Sequence, residues 1–213
     1  MVTLVTATAF IPPGSVLTVM AHPDDAELWA GGTLALCAAA GADVTIAIPR
    51  HPEPRASEAA AGAAVLGAGL NQINEPTAAA VRELLLDTRP EVVLTHPLRD
   101  VHPDHRRIAE AVLEALPEVV IATGHPRRVY TTDTYNSLTL DGPVPAHTTV
   151  DITTTWPAKQ RALAAHASQP IAEHFGPMAE NLARLWGARI GVDHAENFAP
   201  LPVLGRLPAA TAL

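Results

Sequence analysis

The chain has 213 residues, a formal net charge of −8, 48% hydrophobic residues and 17% charged ones. That length suits one large domain or two small ones, with enough apolar material for a sizeable core. The acidic balance argues against a nucleic-acid binder, which needs a basic face, and against attraction to an anionic membrane surface.

Aromatic residues make up only 4%, so Ala, Val and Leu must fill the core. Cys37 is the only cysteine, which rules out an internal disulfide and fits a reducing compartment. The opening "MVTLVTATAFIPPG" has no basic residue ahead of its apolar part, so it lacks the layout of a secretory signal. No run is long and apolar enough to span a bilayer. The expectation is a cytoplasmic protein.

In chain order, "SVLTVM" (15–20) reads as a buried strand. Residues 27–40 favour helix, with Gly41 as a stop. "DVTIAI" (43–48) is a second strand, and a helix follows within 52–69. A third helix is expected over 74–90, then a strand "EVVLTH" (91–96). "PDHRRIAEAVLEAL" (103–116) is a helix with Pro103 at its first position. Beyond Pro117 the signal weakens, and "EVVIATG" (118–124) fits strand or helix. Later strands are expected in 127–137 and 147–153, and a helix over 157–169. The Pro-rich tail from about 198 reads as irregular. Alternating strands and helices predict an α/β, Rossmann-like three-layer fold with a mostly parallel sheet. With no repeat and no linker, residues 1–213 are expected to form one domain.

The stretch "AHPDDAELWAGG" (21–32) follows the first strand. Helix capping accounts for Asp24 and Glu27 in a D-x-x-E pattern. It does not account for His22, and it leaves Asp25 redundant. "DVHPDH" (100–105) stands in the same relation to the strand at 91–96. Histidines at a helix start are poor structural choices, because an imidazolium opposes the positive end of the dipole. Neutral imidazoles that hold a cation have a reason to be there. Both stretches lie past the C-terminal ends of parallel strands, which share one edge of the sheet where ligands bind. The pool is His22, Asp24, Asp25, His102, Asp104 and His105. Two imidazoles and a carboxylate with open positions form a catalytic metal set, suited to Zn²⁺ and also able to hold Fe²⁺.

These paired motifs resemble the PIG-L/LmbE-like metal-dependent N-deacetylases, which remove an acyl group from amino sugars and their conjugates. "RASEAAAGAAVLG", "PRRVYTTDT", "VDIT" and "KQRALAAHASQ" are similar to later family segments, so the resemblance covers most of 16–169. It implies His22, Asp25 and His105 as metal ligands and Asp24 as general base. His102 would steady the tetrahedral intermediate or protonate the leaving amine, and Asp104 would orient or tune a histidine. Arg55 matches the family arginine near the sugar; a surface pair with Glu58 or Glu53 explains it equally well. The implied partner is a small N-acylated amino sugar or glycoside. Self-association is compatible with the Ala-rich composition, but no seam is visible.

The chain departs from the family pattern in two loops. "IAIPRHPEPR" lacks the glycine–acid segment after the second strand, and "GLNQINEPT" has no clear acidic substrate-binding segment. Activity type therefore transfers better than substrate identity. Two other functions remain open from the residues: a non-heme Fe(II) oxygenase built on the same ligands, and a non-catalytic metal- or sugar-binding module. His96 ends a strand near the site, and a supporting role or simple packing would explain it. His166 is expected to be structural or pocket-lining.

Overall fold

The structure is a computed structural model, and it describes residues 10–208. The N-terminal residues 1–9 and the last part of the tail, 209–213, lie outside the described residues.

The first unit is strand β1 (Ser15–Val19), helix α1 (Asp25–Ala39) and strand β2 (Asp43–Pro49). Helix α2 (Arg55–Leu66), strand β3 (Gly69–Ile73), helix α3 (Ala78–Thr88) and strand β4 (Val92–Thr95) follow. Helix α4 (Pro103–Thr123) leads to strand β5 (Arg128–Thr131). A 3₁₀ turn (Tyr135–Ser137) and a small hairpin of β6 (Leu138–Thr139) and β7 (Gly142–Pro143) come next. The chain ends with β8 (Thr148–Asp151), α5 (Trp156–Ala164), a π-helical turn (Ile171–Phe175), α6 (Gly176–Ile190) and β9 (Ala195–Leu201).

Seven strands make one sheet in the order β3-β2-β1-β4-β5-β9-β8. The first five are parallel, and β9 and β8 add antiparallel pairs. The pleat explains the continuous apolar strands. Val16 and Met20 pack on one face with Val44, Ile46 and Ile48, beneath α1, α2 and α5. Leu17, Val19, Ala47 and Val93 face the other side, beneath α3 and α4. Helices on both faces complete the three-layer α/β fold. No helix among the described residues is long and apolar enough to cross a membrane.

The order places β1 beside β4. From β1 the chain moves to β2 on one side, and from β4 to β5 on the other, so the sheet reverses direction between these two neighbours. Such a switch point opens a crevice at the C-terminal strand ends. Residues 21–25 leave β1 there, and residues 96–105 leave β4.

One open reading is settled, and three elements differ from expectation. Segment 118–124, which fitted strand or helix, is helix: residues 118–123 continue α4 through Pro117, and Gly124 is its C-cap. Pro117 is exposed, while Ala115, Leu116 and Val119 are buried against the sheet, so packing outweighs the lost N–H. Strand β3 has little β-branched content and was not expected; it forms because its backbone pairs with β2. Phe198–Leu201, expected to be irregular, belong to β9, whose Phe198 enters the core. Helix α6 has no expected counterpart, although Ala179, Ala183 and Trp186 return at helical spacing and are all buried.

Candidate active site

The turn after β1 and the first turn of α1 bring His22, Asp24 and Asp25 together. Asp25 is nearly fully buried, and its Oδ2 accepts a 2.8 Å hydrogen bond from the His22 backbone N–H. That bond closes the turn and points the carboxylate back at the His22 ring. Trp29, one helical turn on, donates its Nε1–H to Asp25 Oδ1 at 3.4 Å. Neither Asp24 nor Glu27 caps α1: no side chain caps its N-terminus, and Glu27 is buried against His166, 3.3 Å away. The capping explanation therefore fails at both acids.

From the other stretch, α4 presents His105, which is fully buried. His22 Nδ1, Asp25 and His105 Nε2 converge. The separations are 3.1 Å from His22 Nδ1 to Asp25 Oδ2, 3.4 Å from His105 Nε2 to Asp25 Oδ1, and 3.3 Å between the two ring nitrogens. Tetrahedral zinc ligands about 2.0–2.1 Å from a shared centre stand roughly 3.3 Å apart. The donor set and its spacing thus fit a divalent cation.

Two further histidines border the cluster: the sets whose single donor atoms lie close enough to share one ion are His22, His102 and His105, and Asp25, His96 and His105. Both already have backbone partners. His96 is fully buried, and its Nε2 accepts from the Ala21 N–H at 3.1 Å. Its ring stacks on His105 with centroids 3.8 Å apart. His102 is the N-cap of α4, where its Nδ1 accepts from the Asp104 N–H at 3.2 Å. In the neutral ring this leaves the proton on Nε2, so His102 presents a donor rather than a lone pair.

The site electrostatics follow from burial and the close carboxylates. Burial alone would raise Asp25, but His96, His105 and His22 hold it well below the usual carboxylate range. Burial pulls His105 down, yet the Asp100 and Asp25 carboxylates prevail and push it up to about 9. Burial and the Asp25 charge lift the Asp24 carboxyl above its ordinary value, while Arg55 pulls it back. Burial keeps His102 below its ordinary value, in keeping with a neutral ring.

Arg55 stands at the first position of α2, and its Nη2 donates to Asp24 Oδ1 at 2.9 Å. It is not a surface pair with Glu58 or Glu53. Glu58 accepts from Ser168, and Glu53 accepts from the Ser57 N–H. Asp104 is half exposed, bonded to Arg107, with Oδ2 3.6 Å from His22 Nε2. The buried aspartate at His105 is another residue, Asp100, whose Oδ2 lies 3.1 Å from His105 Nδ1. Thr134 donates to the same oxygen at 2.6 Å, and the His102 N–H donates to Oδ1 at 2.8 Å. Sequence signals for Asp100 and His96 were present: each is a polar residue beside a strand end that feeds the site.

Residues 17–116 match the family model described as PIG-L, GlcNAc-PI de-N-acetylase, and that span contains both histidine–aspartate stretches and Arg55. No curated protein matches the chain. Among solved structures, the three-layer α/β fold is shared with GalB, the 4-carboxy-2-hydroxymuconate hydratase from Pseudomonas putida KT2440. That pair has a TM-score of 0.75 and 22% identity over 93% of this chain and 99% of that one. The conserved protein TT1542 from Thermus thermophilus aligns at 0.74 and 26%, covering 92% and 99%. N,N'-diacetylchitobiose deacetylase from Pyrococcus horikoshii aligns at 0.67 and 22%, covering 90% and 85%.

Proposed function

We propose that the protein is a metal-dependent hydrolase that removes an N-acyl group, in the simplest case acetyl, from an amino sugar or an amino-sugar conjugate. The observation that carries this reading is the His22–Asp25–His105 trio, with its donors 3.1–3.4 Å apart and a separate acid, Asp24, beside it. The family match and the named activity of the Pyrococcus deacetylase support it.

His22, Asp25 and His105 would hold the cation, with zinc favoured by the mixed N/O set and Fe²⁺ also accommodated. When bound, such an ion polarises an amide carbonyl and lowers the pKa of a water to about 7. Asp24 takes the proton as water adds to the carbonyl carbon. Arg55 holds the Asp24 carboxylate in place. The Nε2–H of His102 hydrogen-bonds the oxygen on which negative charge develops. The C–N bond then breaks, and the proton held by Asp24 passes to the leaving nitrogen, giving a carboxylic acid and a free amine. At neutral pH the remaining acidic proton is exchanged between them, leaving a carboxylate and an ammonium. Asp104 tunes His22 from its outer nitrogen. One domain over 1–213 and a cytoplasmic location belong to the same reading; the lone, buried Cys37 supports the latter.

The test is metal analysis of the purified protein, followed by a screen of N-acetylglucosamine and its conjugates for free amine and acetate. A metal-loaded protein that releases neither from any N-acyl substrate would refute the proposal. A second reading, water addition to a conjugated C=C bond, is favoured by the likeness to GalB. It predicts loss of ultraviolet absorbance from a hydroxymuconate with no amine released.

A further inference from the structure

Strand β5 lies beside β4 and parallel to it, so the chain leaving β5 shares a sheet edge with residues 96–105. Thr132, Asp133 and Thr134 leave β5 there, and all three are buried. The 3₁₀ turn Tyr135–Ser137 follows directly.

The Thr134 hydroxyl carries one proton, and it donates that proton to Asp100 Oδ2 at 2.6 Å. Asp100 links this bond to both histidines at the start of α4. Its Oδ2 stands 3.1 Å from His105 Nδ1, and its Oδ1 accepts from the His102 N–H at 2.8 Å. Burial works against the Asp100 charge, but His105, Thr134 and the His102 N–H hold the carboxyl below its ordinary value. The last side-chain torsion of an aspartate is broad, so the backbone of Asp100 does not by itself set the carboxylate plane. Its donors do: the His102 N–H takes one oxygen and the Thr134 hydroxyl takes the other.

Thr134 is itself anchored. Its N–H donates to Asp133 Oδ1 at 2.8 Å, and Asp133 Oδ2 accepts from Trp186 Nε1 at 2.5 Å. Trp186 is buried on α6, so a late helix places a hydroxyl that serves the site. The next residue, Tyr135, sets its ring near-parallel to His105, with an interplanar angle of 12° and centroids 5.7 Å apart. One short segment thus reaches the His105 ring at its outer nitrogen, through Asp100, and at its face, through Tyr135.

We propose that Thr134 is a positioning residue of the hydrolytic site: its hydroxyl fixes the plane of the Asp100 carboxylate and, through it, the orientation of the His105 ring. The consequence for metal binding rests on the reading of His105 as a ligand. Without the hydroxyl, a buried carboxylate oxygen is one donor short, which costs free energy unless the carboxylate turns. Any such turn moves the partner of His105 Nδ1, and that partner is what orients a ligating imidazole.

The test compares Thr134→Val, which keeps the shape and loses the hydroxyl, with Thr134→Ser, which keeps the hydroxyl and loses a methyl. Zinc affinity of the full-length protein is measured by competition with a chelator. The His105 ring signals of the zinc-free protein are followed by NMR. Thr134→Val should shift those signals and weaken zinc binding about tenfold, at the low end of what losing an outer partner costs. Thr134→Ser should stay near wild type in both. Wild-type behaviour of Thr134→Val would overturn the proposal. So would a Thr134→Ser variant as impaired as Thr134→Val, since packing rather than the hydroxyl would then be responsible. In an Asp100→Asn background, Thr134→Val should cost no further zinc affinity, because the two residues act in series. A further tenfold loss there would overturn the proposal, and this comparison serves even if Thr134→Val alone does not fold. If the wild type binds no zinc while the ring signals respond as expected, the ligand reading fails and the positioning of His105 by Thr134 stands.

Discussion

Asp100 Oδ2 lies 3.1 Å from His105 Nδ1, and Thr134 donates a 2.6 Å hydrogen bond to that same oxygen. The outer nitrogen of a proposed ligand thus faces a fully buried carboxylate that is itself anchored. Such a partner fixes tautomer and ring orientation. Asp100→Asn keeps the shape and removes the charge. It should weaken metal binding roughly 10–100-fold, the usual cost of losing such a partner. Zinc competition against a chelator measures this; unchanged affinity would show that Asp100 only packs.

The trio and its neighbours should separate by role. His105→Ala removes a donor, so metal and activity should be lost together. Asp24→Asn should keep the metal and lower kcat by roughly 10²–10⁴. His102→Ala should also keep the metal and lose about 10²–10³. Metal content and steady-state rates on the same preparations check all three. Metal loss in Asp24→Asn together with retention in His105→Ala would reverse the ligand assignment.

Arg55 offers a contrast between substrate contact and positioning. Its 2.9 Å bond to Asp24 predicts that Arg55→Gln acts mainly on kcat, with Arg55→Lys intermediate. If Arg55 instead holds the sugar, KM rises while kcat stays near wild type.

Lys159 and Glu196 form a buried ion pair at 2.6 Å, and Glu196 also accepts from the Gly32 and Thr33 N–H groups within α1. Lys159→Met leaves that carboxylate without its cation and should cost about 3–5 kcal/mol in urea unfolding. Adding Glu196→Gln should restore part of the loss, because the stranded charge is gone. A double variant less stable than Lys159→Met would contradict this account.

Glu91 supplies a pH dependence remote from the site. The Gly14 N–H and the Arg128 guanidinium, at 2.8 and 2.5 Å, hold its carboxyl below the ordinary value. A depressed folded value contributes stability above the unfolded pKa, about 4.3, and loses it as pH falls through the folded value. Glu91→Gln should therefore lower the urea midpoint at pH 7 and bring the two proteins closer together at pH 3. An equal gap at both pH values would exclude the linkage.

By itself the sequence determined the parallel α/β plan and the two stretches that meet. Apolar runs buried on both faces mark parallel strands, and polar groups just past their ends must share one edge. Position just past the strand ends marked a pool of six polar residues, and only the family resemblance singled out His22, Asp25 and His105 among them as ligands. Tertiary structure decided the partners. Asp100 rather than Asp104 is the buried acid at His105, and Arg55 bonds Asp24 rather than a nearby glutamate. His102 turns one ring nitrogen to its helix cap, and His96 lies flat against His105. Those choices depend on which side chains share water-free space, and that depends on residues far apart in the chain. The same holds for β3 and β9, whose weak local patterns become strands because a neighbouring backbone has unpaired N–H and C=O groups to satisfy.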